Sequence, residues 1–75
     1  MSLRGYSFRL VKAVQAANPE LIGVQLGQHC IANDIPVWEI ADKFGVSRMS
    51  VYSWFTGVSS PHPRKAEIIK KYLSK

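Results

Sequence analysis

A chain of 75 residues with one cysteine, Cys30, has room for a single domain over 1–75 and cannot close an internal disulfide or build a cysteine-rich zinc site. Its formal net charge is +5, and a compact basic domain of this kind favours nucleic acid or an anionic surface as its partner. No apolar run approaches the ~20 residues that a membrane span requires, and one cysteine suits a reducing compartment.

The positive surplus is uneven. Before Pro36, Arg4, Arg9 and Lys12 stand against Glu20 and Asp34. From Pro36 onward, Lys43, Arg48, Arg64, Lys65, Lys70, Lys71 and Lys75 stand against Glu39, Asp42 and Glu67. Such a small core supplies no more than about 3–5 kcal/mol, so the fold rests on apolar packing, with a partner subunit as a possible addition.

In chain order, "RGYSFRLVKAVQAAN" begins basic and turns apolar, as a leader peptide does. Lys12 interrupts a run that is too short for a hydrophobic region. The stretch reads instead as an amphipathic helix over about 7–17, with Phe8, Leu10, Val11 and Val14 on one apolar stripe. "NPEL" follows. Asn18 suits an N-cap, Pro19 the first helical position and Glu20 the positive helix end. A second helix is therefore expected from there to about Asn33, with Leu21, Ile22, Gln25, Leu26, His29 and Cys30 recurring at helical spacing. Gly23 and Gly27 share one face and permit close approach by a neighbouring helix.

"NDIP" breaks the chain. Pro36 opens a third helix over about 36–44, with Val37, Ile40, Ala41 and Phe44 inward. Gly45 ends it in the left-handed position that glycine tolerates. Ser47 caps a fourth helix over about 47–56, and Gly57 ends that one in the same way. "VSSPHP" is an exposed connector. In "PRKAEIIKKYL" the fifth helix turns Ala66, Ile69, Tyr72 and Leu73 inward, while Lys70, Lys71 and Lys75 form a solvated face. No convincing strand, repeat or second domain emerges. The expected fold class is all-α, a small five-helix bundle.

The fourth helix carries the functional signal. At about 100° per residue, Val51 and Trp54 define an inward face, flanked by Ser50 and Phe55. Arg48, Met49, Tyr52, Ser53 and Thr56 occupy the opposite arc. That arc holds one cation, several hydrogen-bonding groups, one large apolar side chain and no acid. A solvated face normally mixes both signs; this one suits a negative partner. Ala41 must be small where the fourth helix crosses it, Gly45 supplies a sharp turn, and Ile40, Phe44, Val46, Val51 and Trp54 lock the two helices at a fixed angle.

This run, "IADKFGVSRMSVYSWFTG", with its sequel "SSPHPRKAEIIKKYL", resembles the helix-turn-helix of the lambda repressor and Cro family of bacterial and phage DNA-binding proteins. The likeness covers roughly residues 21–73; the first helix lies outside it. Where the family often places a glutamine that reaches a phosphate, at the start of the third helix, this chain has Val37 and Trp38.

The resemblance implies a sequence-specific transcriptional regulator, repressor-like, in the cytoplasm of a bacterial or phage-infected cell. The motif spans about 37–57, with its second helix in the major groove of double-stranded DNA. Arg48, Met49 and Ser53 would face base edges, Arg48 having the fork to read guanine O6 and N7. Tyr52 and Thr56 lie within reach of a base or a phosphate. Ser47 suits a phosphate at the helix N-terminus, and His62, Arg64 and Lys65 would grip the flanking backbone. Family members commonly bind as two-fold dimers, for which the N-terminal helix, with Phe8 and Val11, is the expected added element.

Other readings are weaker. Trp54 belongs to the core, and Trp38 to the surface or a dimer contact. His29 and Cys30 point about 100° apart, and no second pair has zinc spacing, so packing is their expected role. Ser59 and Ser60 have no histidine–carboxylate arrangement beside them. No enzyme, metal, cofactor or small-molecule ligand is expected. The rival function is a protein-interaction module on the same scaffold, antitoxin-like or polymerase-binding.

Overall fold

The computed structural model describes residues 7–74. Arg4 and Lys75, counted in the charge balance, lie outside them. Five helices follow in order: α1 (Phe8–Ala16), α2 (Ile22–Ala32), α3 (Val37–Phe44), α4 (Arg48–Phe55) and α5 (Pro63–Leu73). There is no strand among the described residues. The all-helical, five-helix expectation is met, and the helix order matches.

Local chemistry sets most boundaries. Ser7 Oγ accepts the Leu10 amide and starts α1, and Ser47 Oγ accepts the Ser50 amide and starts α4, each at 3.1 Å. Pro63 occupies the first turn of α5. Gly45 leaves α3 with φ 66°. The Val46 amide returns to the Ala41 carbonyl at 3.0 Å and the Gly45 amide to Asp42 at 3.3 Å, a Schellman closure. Asp34, at φ 59°, closes α2 in the same pattern, with the Ile35 amide on the Cys30 carbonyl at 2.8 Å. Aspartate is among the few non-glycine residues that visit this region with any frequency.

The start of α2 corrects the sequence expectation. Asn18 is not its N-cap, and Pro19 is not its first residue. Asn18 Oδ1 accepts the Glu20 amide at 2.9 Å, and the Leu21 amide returns to the Asn18 carbonyl at 3.2 Å. The asparagine thus closes a turn on its own backbone, with proline inside it. The helix begins at Ile22 behind Leu21, which offers no side-chain cap.

The core comprises Val14, Val24, Leu26, Cys30, Val37, Ile40, Ala41, Phe44, Val51, Trp54, Phe55 and Ile69. No polar or charged described residue is buried. The inward stripe of α2 is Gly23, Leu26, Gly27 and Cys30, joined by Val24. Gln25, one of the residues recurring at helical spacing, is exposed and donates through Nε2 to the Pro19 carbonyl at 3.1 Å. The reason is that glycine backbone itself forms the contact surface. A Cβ on Gly23 would lie 2.7 Å from the Trp54 carbonyl oxygen, and one on Gly27 2.9 Å from Phe55 Cγ. Helix α4 is therefore seated in a notch of α2, and Phe55, expected only to flank the inward face, is fully buried there.

The α1 stripe is shallower than expected. Val14 is buried and Leu10 and Val11 are half-buried, but Phe8 is 72% exposed, with the Lys12 ammonium 5.3 Å from its ring centroid. In α5, Ile69 is buried while Ala66, Tyr72 and Leu73 are half-buried. Tyr72 meets His29 and Phe44 edge-on, at centroid distances of 5.4 and 5.8 Å, so His29 has the packing role expected of it.

Candidate nucleic-acid interface

Residues 45–47 join α3 to α4 directly, and two constraints fix the turn. Gly45 supplies the positive φ. From α5, the Lys65 ammonium donates to the carbonyl of Phe44, the last residue of α3. Helix α4 then packs against α2 and α3 through Val51, Trp54 and Phe55. Its remaining surface faces outward because the notch in α2 has already taken its apolar side.

On that outer surface Arg48 and Met49 are exposed, Met49 to 77%, and Tyr52 is 39% exposed. Ser53 and Thr56 are half-buried at its margin. Thr56 Oγ1 donates to the Tyr52 carbonyl at 2.9 Å, which leaves its oxygen lone pairs as the outward-looking function. Ser47 is committed to capping: its Oγ accepts the Ser50 amide and donates to Ser50 Oγ at 3.1 Å.

The basic residues beyond α4 take different positions. His62 caps α5, its Nδ1 accepting the Arg64 amide at 3.3 Å. With Nδ1 as acceptor, the neutral ring carries its proton on Nε2, a donor free of the cap. Arg64 is exposed in the first turn of α5. Lys65 is half-buried and turned back to Phe44. Of the four residues expected near phosphates, Arg64 alone extends from the surface without serving a cap or a turn in these contacts.

Charge along α4 and the start of α5 is one-sided. No acid occurs in the sequence between Asp42 and Glu67. Neither α4 nor α5 has an acid in its first turn; each begins with cations instead, Arg48 in α4 and Arg64 and Lys65 in α5. Cations at the positive end of a helix oppose its dipole by roughly 0.3–1 kcal/mol each when exposed. Helix stability does not ask for this placement, and an anion there would reverse its sign.

Trp38 was not among the expected contact residues. It is 55% exposed, and with Pro36, Val37, Arg48 and Tyr52 it lines a cleft of about 130 Å³ between the start of α3 and the outer face of α4. The signal in the sequence was its place at the edge of the inward face of α3, three residues before Ala41, but which neighbour it meets depends on how α3 and α4 cross. Among the described residues no group of three or more histidine, cysteine or acidic side chains is placed to hold a metal. No described helix is long and apolar enough to cross a membrane.

Comparison with protein-family models, with curated proteins and with solved structures finds no match.

Proposed function

We propose that this chain binds double-stranded DNA sequence-selectively through α4, laid in the major groove, and acts as a transcriptional regulator of the helix-turn-helix, repressor-like kind. The observation that carries the reading is the outer face of α4. It offers Arg48, Met49 and Tyr52 to solvent, has no acid, and begins with a cation that the helix itself disfavours. Arg48 reads guanine through O6 and N7. Met49 supplies an apolar contact, and Ser53 and Thr56 serve bases at the edge of the face. Arg64, with His62 through Nε2, holds the flanking phosphates, and the helix N-terminus at Ser47 adds its dipole. Lys65 contributes charge at longer range while it holds the turn.

Selection of bound sites from random duplex DNA at moderate salt tests this. The expected result is a defined preferred site containing an essential guanine. Affinity should fall with salt at a log–log slope of about −0.9 per phosphate contacted. No enrichment, or binding indifferent to salt, would overturn it.

A second reading is favoured by the exposed apolar side chains of Met49, Val58 and Trp38: a protein-interaction module on the same scaffold. An apolar protein interface is far less salt-sensitive, and the same titration separates the two.

A further inference from the structure

We propose that the cleft between Trp38 and Tyr52 receives the 5-methyl group of a pyrimidine in the base pair next to the guanine read by Arg48. Trp38 is thereby a specificity-determining residue. The inference rests on the duplex-binding function proposed above.

The cleft is a seam between two helices. Pro36, Val37 and Trp38 line it from the start of α3, and Arg48 and Tyr52 from α4. Its volume of about 130 Å³ compares with the roughly 30 Å³ that one water occupies in the liquid. A methyl group is close to a water in size, so the space takes a methyl together with the ring edge that bears it. The lining mixes carbon, chiefly from Pro36, Trp38 and Tyr52, with polar surface of nearly equal extent, which suits a methyl beside the polar ring edge that carries it. Arg48 and Tyr52 are four residues apart on α4 and so share one face.

The geometry of base reading supplies the occupant. A guanidinium bonded to guanine O6 and N7 lies near the plane of that base, and its flanks face the neighbouring base pairs. The apolar group that such a pair offers in the major groove is the 5-methyl of thymine, or of methylated cytosine. An anionic occupant suits the cleft less well. Helix α3 also exposes Glu39 beside Trp38 and Asp42 one turn further along the same face. A neutral methyl meets no such opposition.

The test starts from the preferred duplex and the whole chain. Each thymine is replaced singly by deoxyuridine, which removes only the methyl, and each cytosine singly by 5-methylcytosine. Beside the essential guanine, one position is expected to show about a fourfold preference for the methylated base, the effect of burying one methyl-sized group. Trp38→Ala should abolish that preference while keeping the guanine requirement. Tyr52→Phe, which retains the ring wall, should preserve it. Trp38 is half exposed, and the methyl scan on the unaltered chain needs no variant at all. A flat scan in a chain that still selects its site would overturn the inference and leave the function standing. So would a methyl preference that survives Trp38→Ala and disappears in Met49→Ala. A chain that selects no duplex overturns both.

Discussion

Helices α3 and α4 are both eight residues long and joined by one tight turn, yet they are built to different rules. Helix α3 buries Val37, Ile40, Ala41 and Phe44, begins with Glu39 in its first turn and ends with Lys43 in its last. Both charges match the helix dipole. Helix α4 buries Val51, Trp54 and Phe55 but begins with a cation and has no acid in its first turn. It also leaves Met49 and Arg48 in solvent. Every feature of α3 except its exposed Trp38 is explained by folding. In α4 the inward face is explained by folding and the outward face is not, and that residue of unexplained chemistry is the ground for assigning it a partner.

The sharpest way to break the comparison is to attack the part of α4 that does serve the fold. Trp54 is nearly buried, and its backbone lies against the notch at Gly23. Trp54→Ala should cost about 3–5 kcal/mol, as much as a core of this size supplies. The variant should therefore lack a cooperative thermal transition by circular dichroism. A variant that melts normally would show that α4 is not held by its inward face.

Arg48→Ala should do the opposite. Binding to the preferred duplex should weaken by about 1–3 kcal/mol, with relaxed preference at the guanine. Stability should hold or rise by a few tenths of a kcal/mol, because a cation leaves the positive helix end. Thermal melting and a binding isotherm on the same sample check both halves. Loss of stability with binding intact would place Arg48 among the structural residues and erase the contrast with α3.

Lys65 sits between these cases. It was expected to grip phosphate, and its ammonium instead donates to the Phe44 carbonyl at the end of α3. Lys65→Met, which keeps most of the stem, should lower stability by about 1 kcal/mol, the net value of one such bond. If holding the turn is its whole role, affinity falls while the salt slope stays constant. A slope shallower by about 0.9 would restore a direct phosphate contact.

The case of Lys65 also shows what was legible before the structure. Signals confined to a few neighbouring residues were readable: Ser47 as a cap, Gly45 and Gly57 as left-handed stops, and Val37, Ile40, Ala41 and Phe44 as one face. One local reading failed because the same residues have a second use. Asn18 and Pro19 are as well suited to a turn as to a helix start, and the turn prevailed. In α2 the close approach permitted by Gly23 and Gly27 was readable and is taken up by Trp54 and Phe55 of α4, while Gln25 falls outside the packed face. Phe8 followed the stripe of α1 in sequence but stands exposed at its first residue. The cleft at Trp38 and the Lys65 bond were out of reach for another reason. Each joins separate helices, the latter across 21 positions, and no periodicity within one helix encodes such a meeting.

The smallest expected effect lies at the far end of α3, where Tyr72 of α5 meets Phe44 edge-on and Lys43 lies 5.3 Å from its ring centroid. Burial, and then the charges of Cys30 and Glu39, push the Tyr72 phenol above its ordinary value of 10.0. The folded chain therefore holds the phenolic proton more tightly than the unfolded chain does. The stability this contributes is fully present below the unfolded value, about 10, and is lost as pH rises through the higher folded value. Urea midpoints measured on either side of pH ~10 should fall more steeply for the native chain than for Tyr72→Phe, which keeps both edge contacts and cannot ionise. Equal falls would mean that the alkaline loss belongs to other groups. The packing that ties α3 to α5 would then stand on shape alone, with no ionisation linked to it, while the outer face of α4, far from this ring in the chain, should bind DNA alike in both proteins at neutral pH.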